Sequence, residues 1–236
     1  MRIQNICSIL RECPTQFFMS VERDPWSGYE CRARPPDVIQ CFDPTTLGER
    51  YVYLLGIYLG DGTISAMPKG VMRLRIFQDA RYPRIVDEIA NAIEAITSRR
   101  AGLIDRSTWF EIYSDWKHWA CAIPQHGAGL KHRRSIVLAD WQEQLVARYP
   151  MSMVRGLIHS DGCRSINRVR RPTRNGVKEY RYPRYFFTNA SADIRALFVA
   201  ACGLAGIESR RMTEWDVSVA RRASVALMDL GIGPKT

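Results

Sequence analysis

The sequence predicts an α+β protein built from two copies of one folding unit within a single chain. Two observations support this prediction. A nine-residue motif occurs twice, about a hundred residues apart, and each copy is followed by segments that alternate between strand and helix patterns. Runs of strands with helices to one side favour antiparallel sheets rather than a parallel one.

The repeated motif is the strongest feature of the chain. Residues 54–62 have the sequence LLGIYLGDG, and residues 154–162 have the sequence VRGLIHSDG. Both copies have glycine at the third and ninth positions and aspartate at the eighth. Weaker echoes follow in the same order, with residues 109–114 matching 215–220 and residues 127–131 matching 231–235. Two spaced copies of one unit explain these paired landmarks better than chance does.

The elements of the first copy follow from capping and periodicity. The capping-box pattern of residues 46–49 predicts a helix that begins there and runs to Gly60, with Gly62 as the C′ residue. Alternation over residues 71–78 predicts a half-buried strand with Arg73 and Arg75 on its outer face. Further segments are predicted as a helix at 82–96 and strands at 101–105 and 109–114.

The second copy shows corresponding patterns, and the chain divides into three parts. Strands are predicted at 163–170, 181–188 and 215–221, and helices at 191–204 and 222–230. Residues 1–45 hold many prolines and are predicted to form an irregular N-terminal extension. Residues 46–138 form the first repeat with a Gly- and Lys/Arg-rich connector at 125–138. Residues 139–236 form a linking helix at 139–149 and the second repeat.

Composition restricts the possible partners. The net charge is +10 and the pI is about 9.5, which favours a polyanionic partner, most commonly nucleic acid. No apolar run approaches the roughly 20 residues of a membrane span, and the first residues lack a signal-peptide pattern. We therefore expect a cytoplasmic protein that has no membrane partner.

Cysteine spacing gives no strong metal signature. The seven cysteines contain no C-x-x-C pair, so reduced thiols in a cytosolic protein are the simplest interpretation. A loose metal cluster formed by the first four, Cys7, Cys13, Cys31 and Cys41, remains an open alternative.

The two motif aspartates stand where a helix disfavours them. The C-terminus of a helix carries partial negative charge, which destabilises a carboxylate by a few tenths to about 1 kcal/mol, yet Asp61 and Asp161 both occur there. Gly56 and Gly156 lie inside the same helices, where glycine costs up to about 1 kcal/mol relative to alanine. That cost is explained if the two helices pack closely at these glycines, which would bring both carboxylates to one site.

Such a pair of carboxylates favours a metal-dependent reaction. Two close carboxylates repel each other unless one is protonated or cations lie between them. Divalent cations suit phosphodiester cleavage, and Mg²⁺ prefers one or two carboxylates with water and phosphate oxygens. The alternative is that Asp-Gly is only a turn after an apolar helix. Its duplication together with the interior glycines favours the catalytic interpretation.

The two motifs resemble the LAGLIDADG motif of homing endonucleases, intron maturases and their relatives. The resemblance covers roughly residues 46–236, and residues 155–162 and 182–187 resemble free-standing bacterial members. It implies two αββαββα units with the motif helices at their interface, and saddle-shaped antiparallel sheets that contact the DNA major groove. It also implies a monomer with internal pseudo-two-fold symmetry, acting near the bacterial nucleoid.

The same resemblance assigns the site. It implies that Asp61 and Asp161 bind Mg²⁺, for which Mn²⁺ can substitute, with help from the main-chain carbonyls of Gly60 and Ser160. Lys131 and Lys235 match each other across the repeat and are expected to stabilise the transition state, although an exposed lysine is usually only solvated. Water-organising side chains are expected at the end of a strand, namely Gln78 and, less strongly, Asn189.

Two positions depart from the family pattern. The sixth motif position, often acidic, holds Leu59 and His159, and we expect His159 to lie at the helix interface rather than to bind metal. The segment ending at Asp105 has the sequence AGLID but lacks the second acid and the glycine, so Asp105 is expected to have no catalytic role.

A basic stretch follows the second motif. Residues 163–184 hold many arginines with interleaved tyrosines, and Asn175-Gly176 predicts a hairpin turn. A two-stranded ribbon fits the DNA major groove, while other arginines contact phosphates. The residues expected to contact double-stranded DNA are Arg73, Arg75, Arg164, Arg168, Arg170, Arg171, Arg174, Lys178, Arg181 and Arg184. Their unequal distribution between the repeats predicts an asymmetric target site.

Two other classes of function compete with the nuclease. A non-cleaving nucleic-acid binder, such as a maturase or a transcription regulator, would use the same fold. The presence of both aspartates disfavours it. An interaction module with a basic surface would leave the duplicated Asp-Gly unexplained.

Overall fold

The computed structural model describes residues 43–174, 176–233 and 235. The predicted N-terminal extension therefore lies almost wholly outside the described residues, as do the first four cysteines and Asn175. Cys163 is an exposed free thiol, and Cys202 is a buried one. Among the described residues, no helix is long and apolar enough to cross a membrane.

Helices and strands alternate in the same order in both repeats. The first repeat comprises α1 (Glu49–Asp61), β1 (Gly62–Met67), β2 (Val71–Asp79), α2 (Pro83–Thr97), β3 (Gly102–Asp105), β4 (Trp109–Trp116) and the short α3 (Trp119–Ala122). A linking helix, α4 (Asp140–Arg148), follows. The second repeat comprises α5 (Pro150–Asp161), β5 (Gly162–Thr173), β6 (Gly176–Thr188), α6 (Ala192–Leu204), β7 (Arg210–Arg211), β8 (Asp216–Val219) and α7 (Arg222–Ile232). The predicted αββαββα order is confirmed in each copy.

Each repeat forms a four-stranded antiparallel sheet with the same strand order, β1-β2-β4-β3 and β5-β6-β8-β7. The registers also correspond, because Gly62 pairs with Ile76 in the first sheet and Gly162 pairs with Phe187 in the second. The predicted inward side of β2 is confirmed: Met72, Leu74 and Ile76 are all at most 1% exposed. The sequence patterns therefore predicted the fold class correctly.

The two motif helices, α1 and α5, form the centre of the molecule. Every residue of 51–59 in α1 is buried. The close approach inferred from the glycines is confirmed, since a Cβ built on Gly56 would lie 3.0 Å from the Cα of Gly156, and the reverse holds at the same distance. Real Cβ atoms do not tolerate main-chain atoms so close, so alanine at either position would force the helices apart.

The ends of α1 differ from the prediction. The helix begins at Glu49 with Gly48 as its N-cap, and Thr46 lies instead in a short 3-10 turn that Asp43 caps. The predicted capping box is therefore wrong. At the other end Gly62 is the C-cap, with an extended φ of −94°. Its missing side chain matters because a Cβ would meet the carbonyl of Tyr58 at 3.0 Å, not because the backbone is left-handed.

The connector between the repeats is anchored by buried amides. Gln142 of α4 donates to the Tyr51 hydroxyl at 2.7 Å, and Tyr51 donates to the Ala122 carbonyl at 2.6 Å. Gln125 donates to Gln142 at 2.6 Å and to the Val137 carbonyl at 2.7 Å. These bonds fix both ends of the connector, which contains the 3-10 turn Lys131–Arg133.

Candidate functional site

The two motif aspartates meet where the paired helices end. A Cβ on Gly60 of α1 would lie 2.9 Å from the Oδ2 atom of Asp161 and would also collide with Ser160. Only glycine at position 60 leaves room for the Asp161 carboxylate to cross to the first repeat. Both aspartates are partly buried at this junction.

The electrostatics of the site reflect that crowding. Burial raises the pKa of Asp61 to about 6; repulsion from Asp161 adds to the rise, and attraction to Lys131 and Lys235 opposes it. Burial also raises the pKa of Asp161. The hydrogen bond from Asn189 and the charges of the same two lysines oppose this rise. Two half-buried carboxylates that disfavour each other's charge form a site with affinity for cations.

Lys131 reaches this junction from the connector. Its Nζ atom donates to three successive carbonyl oxygens at the end of α1, those of Tyr58 at 2.5 Å, Leu59 at 3.0 Å and Gly60 at 2.9 Å. The carbonyls of Leu59 and Gly60 are among the acceptors that a helix end leaves without an intrahelical donor, whereas the Tyr58 carbonyl also accepts from the Gly62 main chain. Burial lowers the pKa of Lys131 to about 8, while attraction to Asp61 and Asp161 opposes that shift.

Lys235 makes the corresponding contacts in the second repeat, with longer bonds. Its Nζ atom donates to the carbonyl oxygens of Gly162 at 3.0 Å, Ser160 at 3.3 Å and Ile158 at 3.4 Å. Burial lowers the pKa of Lys235, and the two carboxylates raise it. The weak sequence match between residues 127–131 and 231–235 thus corresponds to two lysines that lie at equivalent ends of their motif helices.

Gln78 and Asn189 occupy equivalent positions, each two residues after the strand partner of the last motif glycine, because Gly62 pairs with Ile76 and Gly162 pairs with Phe187. The Nδ2 atom of Asn189 donates to Asp161 Oδ2 at 2.6 Å, and its Oδ1 atom accepts from the Ser191 main chain at 2.8 Å. Gln78 is 4% exposed, and its Oε1 atom has no hydrogen-bond partner among the described residues. Sequence reasoning gave Asn189 the weaker assignment, yet Asn189 contacts a motif carboxylate directly.

The two residues to which the sequence assigned no catalytic role lie in the helix interface and in an exposed hairpin. His159 is 1% exposed and lies at the helix interface, where its Nδ1 atom is 3.0 Å from the Tyr53 hydroxyl of α1. Asp105 is exposed in the β3–β4 hairpin and accepts from the Ser107 main chain at 2.7 Å, as an ordinary turn residue does.

The donors at the junction fit a hard divalent cation. Asp61, Asp161 and the carbonyls of Gly60 and Ser160 are all oxygen ligands, which Mg²⁺ prefers. No group of three or more His, Cys, Asp or Glu side chains is arranged for a metal within the described ranges. Water and substrate oxygens would complete the shell, as is usual for Mg²⁺.

The predicted DNA-contacting residues divide between the two faces of the sheets. In an antiparallel sheet, directly paired residues share a face, and neighbours along a strand alternate. On the face away from the helices lie Arg73, Arg75, Arg171, Lys178 and Arg184, together with Tyr180, Tyr182, Ser165 and Asn167. The tyrosines and the polar residues on β5 are members of this surface that the arginine count did not identify.

The opposite face of the second hairpin holds the remaining basic residues on its strands. Arg164 forms a bidentate ion pair with Asp229 of α7 at 2.7 and 2.9 Å, so it joins the sheet to a helix. Arg168 is exposed there, while Arg170 and Arg181 both pair with Glu179. Arg174 lies in the exposed turn. The structure therefore does not bring all ten predicted residues onto one surface.

Comparison with known proteins supports the fold assignment. The chain matches no protein-family model and no curated protein. Mesophilic variants of the homing endonuclease I-DmoI superpose with a TM-score of 0.52 at 12% identity, covering 81% of this chain and 94% of theirs. The homing endonuclease I-WcaI, bound to its DNA recognition sequence, superposes with a TM-score of 0.50 at 11% identity, covering 79% and 81%.

These likenesses define the architecture. The class is a single-chain α+β protein with two sheets around a central helix pair. More particularly, the fold is that of the two-repeat LAGLIDADG homing endonucleases, as the motifs predicted.

Proposed function

We propose that this protein is a site-specific endonuclease that cleaves both strands of duplex DNA. The observation that carries the proposal is the convergence of Asp61 and Asp161 at the ends of the paired helices, beside Lys131 and Lys235. Structural, non-catalytic Asp-Gly turns would not require two partly buried carboxylates that each make the other's negative charge less favourable. The homing endonucleases with which the fold superposes are consistent with this activity.

Each group has a role in phosphodiester hydrolysis. Asp61 and Asp161 would hold Mg²⁺ or Mn²⁺, with the carbonyls of Gly60 and Ser160 as further donors. Bound divalent cations supply an activated water and stabilise the leaving oxygen. The two carboxylates lie one at each helix end, so a single chain provides for both strands of a duplex and a monomer suffices.

The neighbouring side chains position the reacting groups. Asn189 orients the Asp161 carboxylate through its 2.6 Å hydrogen bond, and the buried Gln78 amide holds a free acceptor at the corresponding point of the first repeat. Lys131 and Lys235 supply positive charge where charge develops on the phosphate, which is the most effective place for it.

The outer faces of both sheets form the proposed DNA-contacting surface. The β5–β6 hairpin is the longer, with strands of 12 and 13 residues against 6 and 9 in β1–β2. Beyond Tyr185 no further strand among the described residues pairs with this hairpin, and such a two-stranded ribbon fits the major groove. The longer hairpin would contact the longer half of an asymmetric target.

A cleavage-site selection tests the proposal. Purified protein is incubated with a randomised duplex library and Mg²⁺, and cleaved ends are sequenced. We expect one asymmetric site, cut on both strands, with no cleavage in EDTA. Selective binding of a duplex without cleavage in Mg²⁺ or Mn²⁺ would contradict the nuclease function and support the non-cleaving binder.

A further inference from the structure

The two lysines contact the same main-chain oxygens that the proposed metal site needs. We propose that Lys131 and Lys235 are resident cations, whose ammonium groups occupy the cation site while the protein is free of DNA. DNA phosphates then displace these ammonium groups, so that metal binding is coupled to DNA binding. This inference rests on the proposed function, because it assigns a regulatory step to the same site.

The bond geometry supports competition for ligands. Gly60 and Ser160 offer their carbonyl oxygens to a metal, but Gly60 already accepts from Lys131 at 2.9 Å and Ser160 from Lys235 at 3.3 Å. A divalent cation on either oxygen would lie within a few ångströms of an ammonium group. Two like charges at such distances repel strongly in a partly buried site, so both cannot bind the same oxygen.

The charge balance points the same way. Each lysine interacts with both carboxylates, and the two ammonium groups cancel the two negative charges of Asp61 and Asp161. The free site therefore has little electrostatic demand for another cation. Each DNA phosphate adds one negative charge, and a phosphate near the junction would reverse that balance.

The lysine side chain suits such an exchange. Its ammonium group ends a flexible four-carbon stem, so it can leave a helix carbonyl for a phosphate oxygen without movement of the main chain. The Lys131 ammonium also lies 4.9 Å from the centre of the Tyr58 ring, whose face stabilises a cation along that path. Coupling is reciprocal, so metal should bind more tightly to the DNA complex than to free protein.

The test measures protein stability in the absence of DNA, so it does not depend on cleavage. The melting temperature is recorded in EDTA and across a Mg²⁺ titration for the wild type and for Lys131→Met. We expect the wild type to respond weakly. The variant should melt lower in EDTA and recover with Mg²⁺, with a half-maximal concentration on the order of tenfold lower than that of the wild type.

Lys235→Met should behave in the same way with a smaller shift, because its bonds are longer. Lys117→Met, which changes an exposed lysine far from the motif in sequence, is the matched control and should leave the Mg²⁺ response unchanged. Equal Mg²⁺ responses of the wild type and both site variants would overturn the inference.

A second variant separates a resident cation from a simple helix cap. In Asp61→Asn combined with Lys131→Met, the carboxylate repulsion that the ammonium offsets is removed. We expect this double variant to fold in EDTA, to melt above Lys131→Met and to lose the Mg²⁺ response. If it is no more stable than Lys131→Met, the lysine acts only on the helix carbonyls and the inference fails. If the variants show these Mg²⁺ responses but the wild type cuts no duplex, the inference is supported and only the nuclease function is contradicted.

Discussion

The two halves of the site have equivalent main chains but hold their aspartates differently. Asp161 accepts a 2.6 Å hydrogen bond from the Asn189 side chain. The Oδ1 atom of Asn189 accepts from the Ser191 main chain, and its main-chain carbonyl accepts from Arg195. At the equivalent position of the first repeat, Gln78 is buried, and its Oε1 atom has no hydrogen-bond partner in the described part of the chain. The fold thus duplicates the backbone and the carboxylates, but the neighbouring side chains differ. Asn189 holds Asp161 through a hydrogen bond, whereas Gln78 keeps an acceptor oxygen without a partner in the described residues.

The sheets show a second contrast between the repeats. On the outer face of the first sheet, Arg73 pairs with Asp115 and Arg75 with Glu111. On the outer face of the second sheet, Arg171 and Lys178 are direct cross-strand neighbours, both exposed and both positive. Pairing with carboxylates reduces the positive charge that a DNA phosphate meets, so the second repeat should dominate electrostatic binding.

The largest expected effect tests whether the carboxylates are equivalent despite these differences. Asp61→Asn and Asp161→Asn should each lower the single-turnover cleavage rate by more than about 100-fold, because loss of a side chain that only supports a metal ligand already costs up to about 100-fold. Each of these changes removes the charge of the ligand itself. Specific binding in Ca²⁺ should stay nearly intact, because each change keeps the size of the side chain and one of its acceptor oxygens. Wild-type cleavage by either variant would place the metal site elsewhere.

Asp105→Asn is the matched control for both aspartates. It makes the same chemical change at an exposed hairpin turn and should leave cleavage unchanged. Loss of activity in this variant would move the active site to the β3–β4 hairpin and contradict the assignment to the motif helices.

The next largest effect concerns the lysines. Lys131→Met should slow cleavage by on the order of a hundredfold, since one lost electrostatic stabiliser costs about 3 kcal/mol in well-studied enzymes. Lys235→Met should slow it less, because its bonds to the helix carbonyls are longer. Single-turnover rates at saturating protein measure both. The reverse order would contradict the view that the first repeat holds its lysine more firmly.

A smaller effect distinguishes the hydrogen-bonded Asn189 from the corresponding Gln78. Asn189→Ala should lower the single-turnover cleavage rate about 10- to 100-fold by releasing Asp161.

Gln78→Met should lower cleavage and also stabilise the protein by about 1 kcal/mol, because it removes a buried acceptor that has no partner in the described residues. Denaturant unfolding in EDTA gives the second quantity. A destabilised Gln78→Met would mean that the amide serves packing rather than chemistry.

The sequence predicted the parts of this molecule that depend on local patterns. Interior glycines at positions 56 and 156 predicted the close helix pair, and alternation along β2 predicted its buried side. Strand β1 was missed because its alternation is weak and its stability comes from pairing with β2. The three carbonyl contacts of Lys131 join residues more than 70 positions apart, and no local pattern contains them.

The basic residues illustrate the same limit. Counting arginines between residues 163 and 184 treated them as one surface, but strand pairing places Arg164 beside Tyr185, which is 2% exposed, and Arg171 beside Lys178 on the other face. Their separation follows from strand alternation once the register is known. Nor did composition show that Asp229 would pair with Arg164 from a helix near the C-terminus.

The smallest expected effect uses this difference in pairing to compare the two sheets. The logarithm of DNA affinity falls linearly with the logarithm of salt concentration, with a slope of about 0.9 per neutralised phosphate. Arg171→Ala with Lys178→Ala should therefore lower the slope by about 1.8 if both side chains contact phosphates. Arg73→Ala with Asp115→Ala removes a neutral pair from the first sheet and should lower it by less than half as much. Both are measured by binding to the selected duplex in Ca²⁺ over a salt series. Equal reductions would mean that DNA displaces Asp115 from Arg73, so that the first sheet contributes its charge fully and the electrostatic footprint is symmetric despite the unequal hairpins.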